Sequence, residues 1–539
     1  MRSEIEKQSH WNAAADQKLR RAAVHGARYD EHSRPDVRVE WLIDNHNAYD
    51  ALLGSVRDAR ESILITQLAF DSDCVALDSS SGQEGRGKSL LDAILEVSTA
   101  KHVKVDILLN STLLLDTMKP LRRWMSKGDG DCSRVRVRGI SHFPQLLHAK
   151  MVIVDSARAF LMGSPFVNGY WDDSHHAPVD PRRPRRELSG RPVHDVSVAV
   201  EGDVVSQLAA VFAELWSAAD ARGREPWNAA EDSIAEPTAY SARRTPAPRP
   251  TGAPVRVVTT LPSRLRNQKD LGSVATLEAL LAGIARANDL IYIEHQYLSS
   301  RPVVAALCDA LARHSDLEIV MALNQNPDIT AYRGWQNARL AESGMLGHPR
   351  VGLFTLWTAD ARQPQTKPKI NQVFVHSKVV IVDDRWAMVG SANLDGVSLD
   401  SYGSDFSSAL LRRTFRGVRN VDVGLVIHDG PHKLRSAGSV RELRDCLWTE
   451  HLGPSANVDH RPGSGWLSSW RNRASENIAA LNEAPRELAT GSFVLPYSAQ
   501  PTPRRQLKDV GISAPLDLQY EPSWLEVHCS PAWVRNMFL

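Results

Sequence analysis

The chain has 539 residues, enough for two or more domains, because single apolar cores stop growing near ~250–300 residues. Its 64 basic and 63 acidic residues leave a formal net charge of +1, which excludes capture of a polyanion by the chain as a whole, so any attraction to phosphate must be local. Five scattered cysteines without paired spacing favour a reducing compartment and no zinc site, and the stretch from Met1 to Gln8 lacks the apolar segment of a secretory signal.

No apolar run approaches the ~18 residues of a membrane span, so a cytoplasmic protein is expected, touching membranes only peripherally. In chain order, residues 62–70, 102–109 and 134–138 are short β-branched-rich runs that predict strands, while 88–99 and 111–126 have helical length and spacing. Residues 172–192 interrupt this half with Arg182, Arg183, Arg185 and Arg186 among prolines, reading either as a solvated loop or as a surface for anionic lipid head groups. A helix over 204–216 closes the half, and residues 229–254 are too rich in proline for a packed element and read as a linker. The pattern then repeats: strands at 290–298, 317–323 and 350–356, helices near 276–287 and 303–313, and a closing helix at 440–452. Trp216 and Trp448 in the two closing helices are assigned to the core. The alternation predicts an α/β sandwich in each half. The implied division is an extension over 1–36, domains over 37–228 and 255–454 joined by the linker, and a tail over 455–539 packing across both. The tail's tryptophans, Trp466, Trp470, Trp524 and Trp533, are assigned to packing rather than to a lipid interface.

One motif occurs in both halves. His148-Ala-Lys150 is followed by Asp155 and by Gly163-Ser164; His376-Ser-Lys378 is followed by Asp383 and by Gly390-Ser391. The shift is 228 positions both from His148 to His376 and from Ser62 to Leu290, and 227 from Asp195 to Asp422. A single His-x-Lys among 19 histidines would be noise, whereas two equally spaced copies imply one composite site. On a strand, residues two apart share a face, so each half offers one imidazole and one ammonium to a common surface. Two of each suit a phosphodiester: Lys150 and Lys378 neutralise non-bridging oxygens, one histidine attacks phosphorus and the other protonates the leaving oxygen. Water or another alcohol then resolves the phosphohistidine. This chemistry needs no metal or other cofactor, and the sequence shows no good carboxylate cluster to hold one. A nucleophilic histidine needs its second nitrogen held, normally by a carboxylate. Asp195 and Asp422, each opening an apolar run, are the candidates: Asp195 is expected to orient His148, and Asp422 to orient His376. Asp155 and Asp383 lie five residues beyond the lysine, an odd offset that turns them to the opposite face, and are expected to pin a turn or an arginine.

With this duplicated His-x-Lys-x4-Asp pattern and trailing Gly-Ser, the chain resembles the phospholipase D superfamily. The second copy, running through Gly390-Ser391-Ala392-Asn393-Leu394-Asp395, matches in full. Ile291 to Tyr297, Arg191 to Val196 and Leu443 to Gly453 resemble three further family segments, so the similarity spans about 38–453. In the first copy Phe166 stands where the family has asparagine, leaving Asn168 displaced, and His295 also replaces an asparagine. The resemblance implies two tandem α/β sandwich domains forming one pseudo-symmetric site, with His148 as nucleophile and His376 as acid. Ser164, Ser391, Asn393 and Asn168 are assigned substrate or phosphate contacts, and Glu294 and Gln296, which share a strand face, either supporting or phosphate-site roles or core hydrogen bonding. The activity the resemblance implies is that of a phospholipase D, cleaving the distal phosphodiester of a glycerophospholipid with water or an alcohol as acceptor. A phosphatidyltransferase of the cardiolipin synthase type is the alternative. A nucleic-acid phosphodiesterase would need a basic stripe with interleaved aromatics, which this near-neutral chain lacks, so no nucleic-acid partner is expected.

Overall fold

The computed structural model describes most of residues 34–521; the longest stretches outside that description are 77–87, 122–132, 220–252, 263–272, 430–439 and 454–464. Arg185, Arg186, Trp524, Trp533 and nearly all of the expected linker therefore lie outside the described residues. The two outer boundaries of the linker and extension shift slightly. The first strand already starts at Arg34, and Ala253 and Pro254 belong to the strand Ala253–Leu261.

Each half is built on seven strands in the same spatial order. In the first half they run Val135–Ile140, Lys104–Thr112, Ser62–Gln67, Met151–Val154, Arg158–Leu161, Val196–Glu201 and Arg34–Ile43. In the second they run Val351–Asp360, Glu318–Leu323, Leu290–His295, Lys378–Val382, Trp386–Gly390, Asn420–His428 and Ala253–Leu261. The first two pairings of each set are parallel and the remainder antiparallel. Parallel pairing explains the unbroken apolar runs such as Ser62–Gln67 and Leu290–His295, which are buried on both faces. The crossovers between parallel strands carry the helices Leu90–Lys101 and Arg301–Arg313, packed on the outer faces.

Two local readings are corrected. The expected helix over 111–126 gives way at its start to strand: Lys104–Thr112 continues through Ser111 and Thr112, and Leu115–Asp116 folds back against them. Short apolar runs carry no period that separates the two states, and sheet pairing decides. The helix Thr330–Glu342 was not anticipated, because its buried face carries Tyr332, Gln336, Arg339 and Leu340, and two of these are polar. That mixture hides the apolar period.

The halves join in two ways. Arg34 and Val37 pair antiparallel with Val255 and Ala253, carrying the sheet from one half into the other. One apolar cluster also runs through the inner faces of both sheets and the closing helices Val204–Ala218 and Val440–Leu452, with Trp216 and Trp448 buried in it. The tail is built mainly onto the second half. Helix Trp466–Glu483 sends Trp466 and Trp470 into the shared core, and strand Phe493–Pro496 pairs with Val351–Asp360. Its contact with the first half includes Tyr520, 4.5 Å from the Arg191 guanidinium. Among the described residues no helix is long and apolar enough to cross a membrane.

Candidate active site

Two short parallel ribbons cross between the halves and assemble the site. Leu146–Leu147 runs beside Asn420 and Val421, so that His148, next in line, arrives at Asp422. Val193–His194 runs beside Phe374–Val375, so that His376 arrives at Asp195. Backbone bonds from His148 N to Val421 O (3.0 Å) and from His376 N to His194 O (2.8 Å) extend the two ribbons. The pairing is therefore crosswise: His148 Nδ1 lies 2.8 Å from Asp422 Oδ1, and His376 Nδ1 lies 2.9 Å from Asp195 Oδ2. This corrects the expectation that each histidine is oriented by the aspartate of its own half. Equal spacing in the two halves is compatible with either pairing, and only the parallel register between halves selects one.

The Gly-Ser of each copy serves the carboxylate. Ser164 Oγ donates to Asp195 Oδ2, and Ser391 Oγ donates to Asp422 Oδ1 at 2.8 Å. Both serines are buried, and each holds the aspartate that orients a histidine. A Cβ at Gly163 would overlap the Asp195 carboxylate, and one at Gly390 would meet Gly424 Cα at 2.5 Å. Asp155 and Asp383 hold left-handed backbone conformations (φ 51° in both), which aspartate tolerates. Asp155 accepts from the backbone N–H groups of Arg60, Glu61 and Ser62, and Asp383 from those of Asn288, Asp289 and Leu290. They tie the motif strand to the start of the central parallel strand, away from the histidines.

Burial controls the electrostatics. It pushes His148 down to about 4 and His376 down to about 3, each assisted by the lysine of its own motif, so both imidazoles are neutral near pH 7. With Nδ1 donating to aspartate, Nε2 carries the lone pair. Burial would raise Asp195 and Asp422, but the paired histidines and neighbouring lysines hold both below the ordinary carboxylate value. Lys150 falls to about 7 through burial and then through repulsion from Lys378, and burial lowers Lys378 to about 8. Two buried lysines, one repelled by the other, form a site that a phosphate would relieve. Each ammonium is steered by the backbone oxygen of its own motif histidine: Lys150 Nζ donates to His148 O at 2.9 Å, and Lys378 Nζ to His376 O.

The remaining candidates divide. Asn393 is buried with its Oδ1 lacking a protein partner, and Gln296 Oε1 is likewise unpartnered while its Nε2 donates to Tyr297 Oη at 2.8 Å. Asn168 starts the short turn Asn168–Tyr170, its backbone N–H on Asp71. Of the two readings of Glu294, the contacts are those of buried hydrogen bonding: it accepts from Ser377 (2.5 Å) and Tyr292 (2.7 Å) and meets His451 at 2.9 Å. His295 pairs across the sheet with Lys378, and burial followed by Lys378 holds its pKa well down. Of the loop arginines, Arg182 pairs with Asp173 and Asp180, and Arg183 with Asp172. Sequence reasoning missed Asn110 and Asn324, whose side chains bond the backbone of Leu147 and Val375, the residues just before each histidine. It also missed Asn45, which donates to Ser164 Oγ at 3.0 Å, and Tyr170, whose ring lies 4.7 Å from that of His376. None of these is marked by spacing, since they converge from separate elements. The expectation of no ligand cluster is corrected as well, because the fold gathers Asp44, His176, His194 and Glu450 at one buried point.

Residues 280–404 match the family model described as cardiolipin synthase, PLD-like domain, and residues 357–498 match that described as phospholipase D. Phospholipase D C of Dictyostelium discoideum is 34% identical over 122 residues, which is 21% of this chain and 7% of that protein. Phospholipase D alpha 1 of Zea mays is 30% identical over 249 residues, or 35% of this chain and 29% of that protein. The chain thus spans less than a third of the length of either relative. Phosphatidylserine synthase from Haemophilus influenzae Rd KW20 shares the fold, with a TM-score of 0.50 at 14% identity over 86% of this chain and 99% of that one. Sequence matches that fall on the second motif, beside a first half that repeats its strand order and its histidine geometry, make the chain a member of the phospholipase D superfamily.

Proposed function

We propose that the protein is a phospholipase D-type phosphodiesterase and transphosphatidylase acting on the distal phosphodiester of glycerophospholipids. The observation that carries this reading is the pair of crosswise His–Asp couples with two buried lysines beside them, close enough for Lys378 to repel the charge on Lys150. The lysines take the two non-bridging oxygens. His148, the more exposed of the two histidines at 8% against 3%, attacks phosphorus through Nε2. The bond from phosphorus to the head-group oxygen breaks, and His376, which takes a solvent proton on Nε2 as the phosphate binds, passes that proton to the oxygen. Its imidazolium is supported by Asp195, and the bound phosphate offsets the Lys378 charge that, after burial, holds His376 neutral. Water or an alcohol then attacks the phosphohistidine, returning a proton to His376 and the bonding pair to His148. Lipid is the favoured substrate class because the named relatives are phospholipases D.

A second reading, transfer to a lipid acceptor, is favoured by the match of 280–404 to the cardiolipin synthase model. The test is an assay on phosphatidylcholine vesicles containing ethanol, in chelator. Choline with phosphatidylethanol is the expected result. Turnover only when phosphatidylglycerol is supplied as acceptor would favour the second reading, and no turnover on any phospholipid would overturn both.

A further inference from the structure

We propose that Asp44, His176, His194 and Glu450 bind one divalent transition metal, zinc by ligand type, as a structural clamp between the two halves. Asp44 immediately precedes helix Asn45–Asp58, His176 lies in the loop after the first motif, and His194 ends the ribbon that leads to Asp195. Glu450 comes from the other half, in the last turn of helix Val440–Leu452. His194 Nδ1 is 3.0 Å from Asp44 Oδ1 and 2.9 Å from Glu450 Oε1. His176 Nε2 is 3.5 Å from the same Asp44 oxygen and 3.2 Å from the same Glu450 oxygen. Zinc bonds of ~2.0–2.1 Å in a tetrahedron place ligand atoms ~3.3 Å apart, and the four separations scatter about that value.

A second observation points to a centre rather than to hydrogen bonds. His194 is fully buried, and although two carboxylate oxygens flank its Nδ1, the nitrogen is directed at neither. Asp44 Oδ2 also lacks a hydrogen-bond partner. An N–H lying between two oxygens is poor hydrogen bonding, but a lone pair so placed faces the point the oxygens share. The outer contact of His176 is that of a ligating histidine. His176 Nδ1 sits 2.9 Å from Asp172 Oδ2, a carboxylate held by Arg183 and by the backbone N–H of Val193, both at 2.8 Å. Behind His194, Glu294 Oε1 approaches Nε2 at 2.7 Å. A dication with two neutral imidazoles carries the same charge as two imidazoliums, so charge balance admits both; the direction of His194 Nδ1 favours the ion, while His176 Nε2 keeps hydrogen-bond geometry to Glu450 Oε1. Four protein ligands close the coordination shell, which makes the ion structural and leaves the phosphohistidine chemistry metal-free. Its mechanical role is to fix His194, whose backbone oxygen receives the His376 N–H.

The full chain, expressed in zinc-supplemented medium and exchanged through chelator, would be measured by plasma mass spectrometry. About one zinc per chain is expected, falling at least ~tenfold in His176→Gln and Glu450→Gln. Wild-type protein unfolded in chelator and refolded with Co2+ should show the intense visible absorption of a tetrahedral site. Folded wild-type protein holding less than about a tenth of an equivalent of metal and giving no cobalt spectrum would overturn the proposal, as would metal retained in both variants. None of these readouts involves turnover, so they stand apart from the assay on phospholipid.

Discussion

His148 and His376 differ in the aspartate that each has borrowed from the opposite half, and this makes their roles separable. Replacing either with alanine should lower turnover on any substrate by at least ~10³-fold without unfolding the chain, checked by circular dichroism. Crosswise pairing predicts more. Asp195→Asn disables the acid, so its loss of ~10²–10⁴-fold on phosphatidylcholine should largely vanish on a phosphatidyl ester of p-nitrophenol, whose leaving group needs no proton. Asp422→Asn disables the nucleophile and should be equally poor on both substrates. The opposite pattern would mean pairing within each half or exchanged roles. The pH dependence follows from the same groups. A neutral His148 is required, so kcat/KM should be lost as pH falls through about 4; a protonated His376 and charged lysines are required, so it should decline as pH rises above that and fall more steeply from about 7 to about 8. A profile still rising above pH 9 would contradict phosphate capture by Lys150 and Lys378.

At the scale of elements, the motif is a strand with its fastenings. The aspartates five residues past the lysines cap the turn that starts the neighbouring strand, so Asp155→Ala should cost about 1–3 kcal/mol in denaturant unfolding while the folded fraction keeps its kcat. A proportionate loss of kcat in fully folded protein would place Asp155 in the chemistry instead. The strand reading of 148–155 and 376–383 was legible because β-branched runs at equal offsets occur twice. The helix Thr330–Glu342 was not, because its buried face holds Gln336 and Arg339. The Gly-Ser was legible as a mark and opaque as a device: Gly163 clears space for a carboxylate 32 residues further on, and Ser164 binds it.

For the whole molecule, exchange of aspartates means that neither half contains a complete His–Asp couple. Residues 1–235 and 236–539 expressed separately should each be inactive. Mixed, they should regain turnover through the shared core and the pairing of Arg34–Ile43 with Ala253–Leu261. Activity in one fragment alone would refute the composite site.

The duplication, the α/β alternation, the four histidines and lysines of the motifs and the two aspartates are set by the sequence alone, since each is a local pattern repeated at a constant offset. What tertiary structure decided is which aspartate serves which histidine, why a glycine and a serine trail each motif, and how Asp44, His176, His194 and Glu450 meet. Those contacts join residues up to 406 positions apart, from Asp44 to Glu450, through the register of parallel ribbons between halves, and register between halves leaves no periodic trace in a single chain.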